Sequence, residues 1–216
     1  MTNWNTKMNI LFLAALFTTG CQTSDDDFSD ASGDPEFGER TENTKRHVFV
    51  TAATWNGSFV IEKAGGSTEA DKLCTTAAHG AGMPGAWIAW FSSHSWTDPF
   101  GNRAERTNVK DRVKDVGPWF LVGEDTVVFN NKANLLNTPQ VPIDRDEHGE
   151  FVANGRVWTG TNVGGNVAFS ESCDSWRSSN TSRSGVAGDL EKTTTAWTNA
   201  GRIGCEEFAH LYCIQQ

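Results

Sequence analysis

Cysteine is the residue type with the most distinctive chemistry in this chain of 216 residues. The five cysteines are Cys21, Cys74, Cys173, Cys205 and Cys213. A thiol can carry a lipid or be oxidised to a disulfide. The last four cysteines allow three different pairings, and the sequence alone does not choose among them. Free buried thiols are the alternative.

Cys21 follows a short apolar segment near the start of the chain. Residues 8–19 have the apolar core of a signal peptide and are too few to span a bilayer as a permanent helix. The sequence Thr18-Thr19-Gly20-Cys21 resembles a bacterial lipobox, in which the chain is cleaved before the cysteine and the thiol carries diacylglycerol. We therefore expect a lipid anchor on Cys21. Under the enterobacterial sorting convention, Gln22 at the second mature position implies the outer membrane. An ordinary secretory signal with an incidental cysteine is the alternative.

The segment 142–150, PIDRDEHGE, carries the side chains best suited to hold a metal ion. Its candidate ligands stand at alternate positions and are Asp144, Asp146, His148 and Glu150. Gly149 permits a tight turn, so these side chains could converge on Ca²⁺. The glycine is misplaced for an EF-hand, however, and a plain acidic β-turn explains the pattern at least as well. The segment therefore predicts either a calcium site or a turn.

No pattern in the remaining sequence predicts catalysis or nucleic-acid binding. The five histidines stand in unrelated contexts, and no nucleophile elbow, zinc-protease motif or phosphate-binding loop occurs. The net charge of −9 argues against a nucleic-acid partner, because phosphate binding needs a surplus of Lys and Arg. We therefore expect a protein that is not an enzyme and does not bind nucleic acid.

These residues must be positioned by short strands and few helices. A helix is predicted from Ser67 to Ala78, with Cys74 on its buried face, and the Ser/Thr/Gly-rich segment 177–204 predicts a long loop region. At the C-terminus, Ala209, Leu211 and Cys213 alternate with other residues as in a half-buried strand. The other predicted elements are strands at 47–55, 86–91 and 156–160, a hairpin over 117–129 and a helical turn at 133–136.

Three segments resemble a known domain family. They are GSTEADKLCTTAAHGAGMPGAWIAWFSS at 66–93, VWTG at 157–160, and SCDSW followed by two cysteines eight positions apart. Their order and spacing are similar to those of the endostatin domain of certain collagens and of endostatin-like bacterial outer-membrane lipoproteins. The resemblance covers residues 47–216 and implies an α+β, C-type-lectin-like fold. It also implies two nested disulfides, Cys74–Cys213 outside and Cys173–Cys205 inside, and a buried Trp158.

The sugar-binding and metal-binding residues of the resembled proteins are not carried over to this chain. The Glu-Pro-Asn or Gln-Pro-Asp and Trp-Asn-Asp triplets that bind sugar through calcium in C-type lectins do not occur. The zinc-binding histidine cluster of mammalian endostatin is represented by His47 alone. Its heparin-binding arginines correspond only to the mixed-sign segment 103–114. The resemblance therefore predicts neither calcium-dependent sugar binding, nor zinc, nor heparin binding.

The chain is predicted to contain a signal peptide (1–20), a lipidated acidic tether (21–46) and one domain (47–216). Residues 22–46 contain eight acidic and three basic residues and almost no aliphatic ones. Such a segment cannot bury enough apolar surface to offset its conformational entropy, so it should be disordered. We expect it to act as a spacer between the lipid and the domain.

A binding module is the favoured function. The partner is expected to be a protein or a glycan, contacted through loops 92–118 and 161–204 because loops on a rigid frame carry recognition. Trp96 and Trp197 are the predicted anchors, with a place in the core as their alternative. The resemblance adds an adhesin-like role toward host matrix or complement-regulatory proteins. The alternatives are an envelope-assembly lipoprotein with a periplasmic or outer-membrane partner and an enzyme acting on polysaccharide.

Overall fold

The structure is a computed structural model that describes residues 45–60, 66–168 and 172–216. The predicted signal peptide, Cys21 and the tether up to residue 44 lie outside these residues. The first strand begins at Arg46, one residue before the predicted start of the domain. Among the described residues, none of the helices has the length and apolar character to cross a membrane.

The described part of the chain contains ten short strands and three right-handed α-helices, which confirms the α+β class. The strands are β1 (Arg46–Val50), β2 (Trp87–Ala89), β3 (Trp96–Thr97), β4 (Arg103–Ala104), β5 (Trp119–Leu121), β6 (Val127–Phe129), β7 (Arg156–Trp158), β8 (Ser184–Asp189), β9 (Gly201–Gly204) and β10 (Tyr212–Gln215). The helices are α1 (Gly66–Gly80), α2 (Val109–Arg112) and α3 (Lys132–Leu135), and a 3₁₀ turn covers Thr195–Trp197.

A five-stranded sheet in the order β2-β10-β1-β5-β6 lies between two hydrophobic clusters. β1 pairs in parallel with β5, and the other neighbours are antiparallel. Successive side chains of a strand point to opposite faces of its sheet. Phe49 and Cys213 accordingly enter the cluster shared with α1, whereas Val48, Tyr212 and Ile214 enter the cluster on the other face. Both faces of the central strands are therefore buried.

The terminal strand is not half-buried, so that prediction was wrong. β10 lies between β1 and β2, and Tyr212, Cys213 and Ile214 are all fully buried. The predicted inward face is correct, because Leu211 and Cys213 both contact the α1 cluster. The opposite face is not exposed, because Tyr212 packs with its ring centroid 5.5 Å from that of Trp197.

A three-stranded sheet has the order β7-β8-β9, and two of its strands, β8 and β9, lie in the segment 177–204 that was predicted to be a loop region. β8 has the sequence SGVAGD, which lacks the large residues by which a strand is usually recognised. The small residues are required because another segment of the same chain packs closely against β8. A Cβ atom on Gly188 would lie 1.9 Å from the backbone oxygen of Trp197, so only glycine fits there.

The two sheets are joined through His210. The backbone N–H of Trp158 donates to the oxygen of His210, and the N–H of His210 donates to the oxygen of Arg156, both at 2.9 Å. β1 ends at Val50 and does not continue to residue 55; the hydroxyl of the next residue, Thr51, donates to the backbone oxygen of Ala53 at 2.8 Å. This hydroxyl accepts the N–H of Leu211 at 2.9 Å, which fixes the start of the C-terminal segment beside β1.

Helix α1 extends slightly beyond its predicted ends and buries Ala70, Cys74 and Ala78 against the sheet. Two disulfides are present, as expected. Cys74–Cys213 connects α1 to β10, and Cys173–Cys205 lies inside it in the chain, which gives the nested arrangement.

The hydroxyl of Tyr212, the only tyrosine of the chain, provides a direct test of this core. Tyr212 is 1% exposed, and burial raises the pKa of its phenol well above the usual value. An unfolded phenol ionises near pH 10, whereas the folded one keeps its proton. The unfolded state therefore loses protons first, and the free energy of unfolding should fall as pH rises above about 10. Ultraviolet absorbance should detect phenolate only as the chain unfolds.

Tyr212→Phe is the matched control for this titration. The Tyr212 oxygen has no hydrogen-bond partner among the described residues, so its removal should leave stability unchanged or raise it by about 1 kcal/mol. The free energy of unfolding of the variant should also fall less steeply at high pH, because the contribution of the Tyr212 phenol is absent. A phenolate signal with an ordinary pKa in a chain that remains folded would contradict the burial of Tyr212.

Candidate ligand-binding surface

A short hairpin formed by β3 and β4 projects from the loop region 92–118. Trp96 pairs with Ala104 and Thr97 with Arg103, and the turn 98–102 has the sequence DPFGN. Pro99 has a fixed φ angle, and Gly101 adopts a φ of 82°, in the left-handed region that glycine tolerates. The sequence therefore favours a tight turn at this position.

The side chain of Asp98 organises the tip of the hairpin. Its Oδ1 accepts the N–H groups of Phe100 at 2.9 Å and of Asn102 at 2.8 Å, and its Oδ2 accepts the amide of Asn102 at 2.6 Å. The backbone adds a bond from Asp98 N to Asn102 O at 2.8 Å. The turn is thus held by its own hydrogen bonds, while the Phe100 side chain is 90% exposed.

A second element, the turn Cys173–Trp176, has an unusual backbone. All four residues adopt φ angles between 47° and 68°, although none of them is glycine. This conformation costs an L-residue about 1–2 kcal/mol, so the surrounding structure must impose it. Cys173 is held by its disulfide, and the ring of Trp176 lies in the core with its centroid 4.6 Å from that of Phe91.

Trp96 and Arg177 connect the hairpin to this turn. The guanidinium carbon of Arg177 lies 3.8 Å from the centroid of a Trp96 ring, a cation–π contact. Burial lowers the pKa of Arg177, against the raising effect of the Asp174 and Asp98 carboxylates. Residues 96–104 and 173–177 therefore form one surface, which we call the hairpin–turn surface.

The two predicted anchors differ in their burial. Trp96 is half-buried on the hairpin–turn surface, within the predicted loop region. Trp197 is 1% exposed and belongs to the core, so its proposed place as an exposed ligand anchor was wrong. Its ring lies 4.8 Å from that of Trp90, and its Nε1 donates to the oxygen of Asn137 at 2.9 Å. A tryptophan with its polar atom satisfied internally has no group left to present to a ligand.

Two residues of this surface were not predicted. Phe100 stands in a polar segment, where Asp-Pro before it and Gly-Asn after it are the residues of a tight turn that would expose it. Arg177 carries no local signal, because its contact with Trp96 depends on the tertiary fold.

The candidate calcium segment forms a turn organised by Asp146, which is 7% exposed. Its Oδ1 accepts the N–H groups of His148 at 2.8 Å and of Glu150 at 2.9 Å. Asp144 instead bonds to the guanidinium of Arg145 at 3.0 Å. Burial raises the pKa of Asp144 against the lowering effect of Arg145. Across the part of the chain that the structure describes, no group of three or more His, Cys, Asp or Glu side chains could hold a metal ion.

Three histidine rings contact backbone oxygens in different parts of the domain. These contacts are His79 Nε2 with Gly85 at 3.0 Å, His94 Nε2 with Ala168 at 2.9 Å, and His210 Nδ1 with Thr51 at 2.6 Å. The three imidazoles thus each help to hold a separate loop.

Comparison with known proteins adds no assignment: no protein-family model and no curated protein matches this chain.

The turn role of Asp146 gives a prediction that a calcium role does not share. Asp146→Ala should lower the free energy of unfolding by about 2 kcal/mol, because two backbone N–H groups lose a charged acceptor. Asp146→Asn keeps an oxygen acceptor and should lose less. Urea unfolding with calcium and with a chelator measures both variants. The turn role requires the same loss in both solutions, whereas a calcium role requires the loss to disappear in the chelator.

Proposed function

We propose that this protein is a lipid-anchored binding module of the outer membrane whose hairpin–turn surface recognises a protein or glycan ligand. The observation that carries the proposal is the cation–π contact of Trp96 with Arg177, which joins two loops into one surface. Both loops are ordered, since the hairpin tip is closed by the hydrogen bonds of Asp98 and the turn begins at a disulfide. Preorganised loops lose little entropy on binding, which favours a role in recognition.

The proposed domain type is the endostatin-like, C-type-lectin-like domain. It is supported by the nested disulfides, by the helix α1 packed on the sheet, and by the loop-rich segment that carries the proposed surface. Calcium-dependent sugar binding is not part of the proposal, because the lectin triplets do not occur in the sequence.

The proposed anchor is diacylglycerol on Cys21, and its support comes from the lipobox-like sequence at residues 18–21. Several acyl chains together give stable attachment to a bilayer. The acidic tether would then hold the domain away from the membrane surface. A domain displayed on the outside of the cell fits an adhesin-like role, and the periplasmic alternative fits envelope assembly.

Binding through the hairpin–turn surface is tested with two substitutions. Trp96→Ala removes the aromatic ring, and Arg177→Lys keeps the charge but loses the planar group that stacks on it. Both variants should bind at least about tenfold more weakly, as expected for residues at the centre of an interface. The measurement is binding of the non-lipidated Cys21→Ser chain to immobilised matrix proteins, complement-regulatory proteins, envelope proteins and glycans.

Phe151→Ala is the matched control. Phe151 also contacts an arginine, Arg145, at 5.2 Å, but in a turn outside the hairpin–turn surface. This control should bind like the wild type. Equal binding by Trp96→Ala and the wild type would contradict the proposed surface, provided that both chains show the same unfolding midpoint.

The anchor is tested in cells by Cys21→Ser. The wild-type protein should sediment with the outer membrane, and the variant should no longer do so because it has lost the lipid. Protease added to intact cells then separates the two roles. Digestion of the wild-type domain supports display outside the cell, whereas protection until the envelope is broken contradicts the adhesin-like role and supports envelope assembly.

A further inference from the structure

The hairpin tip presents an apolar ring and few polar groups that a ligand could use. Phe100 is the most exposed of the large hydrophobic residues in the described ranges, at 90%. Both carboxylate oxygens of Asp98 accept hydrogen bonds within the turn, and the amide nitrogen of Asn102 donates to one of them. The N–H of Gly101 donates to the Asp98 backbone oxygen at 3.0 Å. The tip is therefore built to hold the ring outward.

The charges around the tip are balanced. The hairpin and its flank carry two acidic and two basic side chains, Asp98, Glu105, Arg103 and Arg106. Arg103 and Glu105 form an ion pair at 3.0 Å. A sulfated glycan, a nucleic acid or an anionic bilayer is attracted by a surplus of basic residues, which this segment lacks. Polyanionic partners are thus disfavoured.

A neutral glycan also fits the tip poorly. Recognition of hydroxyl groups needs precisely placed polar groups beside an aromatic ring, and the polar groups named above are already bonded within the turn. The ring of Trp96 is the second aromatic group of this surface, and the Arg177 guanidinium covers one of its faces. An exposed aromatic ring on a rigid support is instead typical of an anchor that enters an apolar pocket of a protein.

We infer that Phe100 is such an anchor and that the partner of this surface is a protein with an apolar pocket. The inference rests on the proposed function and specifies its ligand class. The partner's pocket would receive the ring, and its rim would meet the mixed charges of the hairpin. Because the turn is already ordered by Asp98, little conformational freedom is lost when the ring is inserted.

The test uses the non-lipidated Cys21→Ser chain, immobilised as wild type, Phe100→Ser, Phe100→Leu and Phe151→Ser. Phe151 is the matched control because it is an exposed phenylalanine in another turn. The probes are an envelope extract of the producing cells and an extracellular-matrix extract. Each extract is used untreated, after protease digestion and after periodate oxidation of its glycans. Phosphatidylcholine vesicles and vesicles that also contain phosphatidylglycerol test a lipid surface.

The expected result is a ligand that the wild type retains and that protease destroys but periodate does not. Phe100→Ser should bind it about 30-fold more weakly, as expected for an anchor residue, whereas Phe100→Leu should keep most of the affinity and Phe151→Ser all of it. Circular dichroism of each chain shows that the hairpin substitutions leave the fold intact.

Other outcomes overturn the inference. A ligand that survives protease and is lost on periodate treatment is a glycan, and vesicle binding that depends on Phe100 makes the partner a membrane. If Phe100→Ser binds like the wild type but Trp96→Ala does not bind, the proposed function stands and the anchor role of Phe100 is contradicted. If the wild-type chain retains no ligand above the level of the bare resin, the proposed binding function and the anchor role of Phe100 are both contradicted.

Discussion

The covalent bond between Cys74 and Cys213 is the constraint on which the domain is built. It joins the buried face of α1 to β10, the strand that lies between β1 and β2 in the five-stranded sheet. The bond spans 139 residues, and in the loop-entropy model such a closure stabilises the fold by up to about 5 kcal/mol. Together with the pairing of β10 to β1 and β2, the bond fixes the positions of the helix, the sheet and the C-terminal segment relative to one another.

Hydrogen bonds of buried hydroxyl groups hold the loops in place, as hydrophobic packing holds the sheet. The hydroxyl of Ser92 accepts the N–H of Val109 at 3.1 Å and the hydroxyl of Thr161 at 3.0 Å. Thr198 in turn accepts the indole N–H of Trp90 at 2.7 Å. Satisfied polar networks of this kind fix one geometry, because breaking any member leaves a buried polar group unpaired. The loops that carry the hairpin–turn surface are therefore anchored to the core at several points.

What could be predicted from the sequence follows from how locally each feature is encoded. Helix α1 was predictable because its buried residues recur at helical spacing within one segment. β8 was not, because its glycines are required by tertiary contacts. A Cβ atom on Gly185 would meet the rings of Trp158 and Trp176, and one on Gly188 would meet the backbone of Trp197. The same limit separates the two tryptophans. Trp96 and Trp197 both stand among small polar residues in the sequence. Only the contacts of the Trp197 ring with Trp90, Phe129 and Tyr212 show that it is enclosed.

The left-handed turn raises the question of why glycine does not occupy it. Glycine at positions 174 and 175 would relieve the steric cost, yet the chain has aspartate and serine there. Each has a contact that glycine would lack, since the Ser175 hydroxyl lies 3.4 Å from the backbone oxygen of His94 and the Asp174 carboxylate lies 3.9 Å from Arg183. A glycine substitution would thus relieve the backbone strain at these two positions but remove their side-chain contacts. The lower steric cost and the lost contacts have opposite effects on the turn.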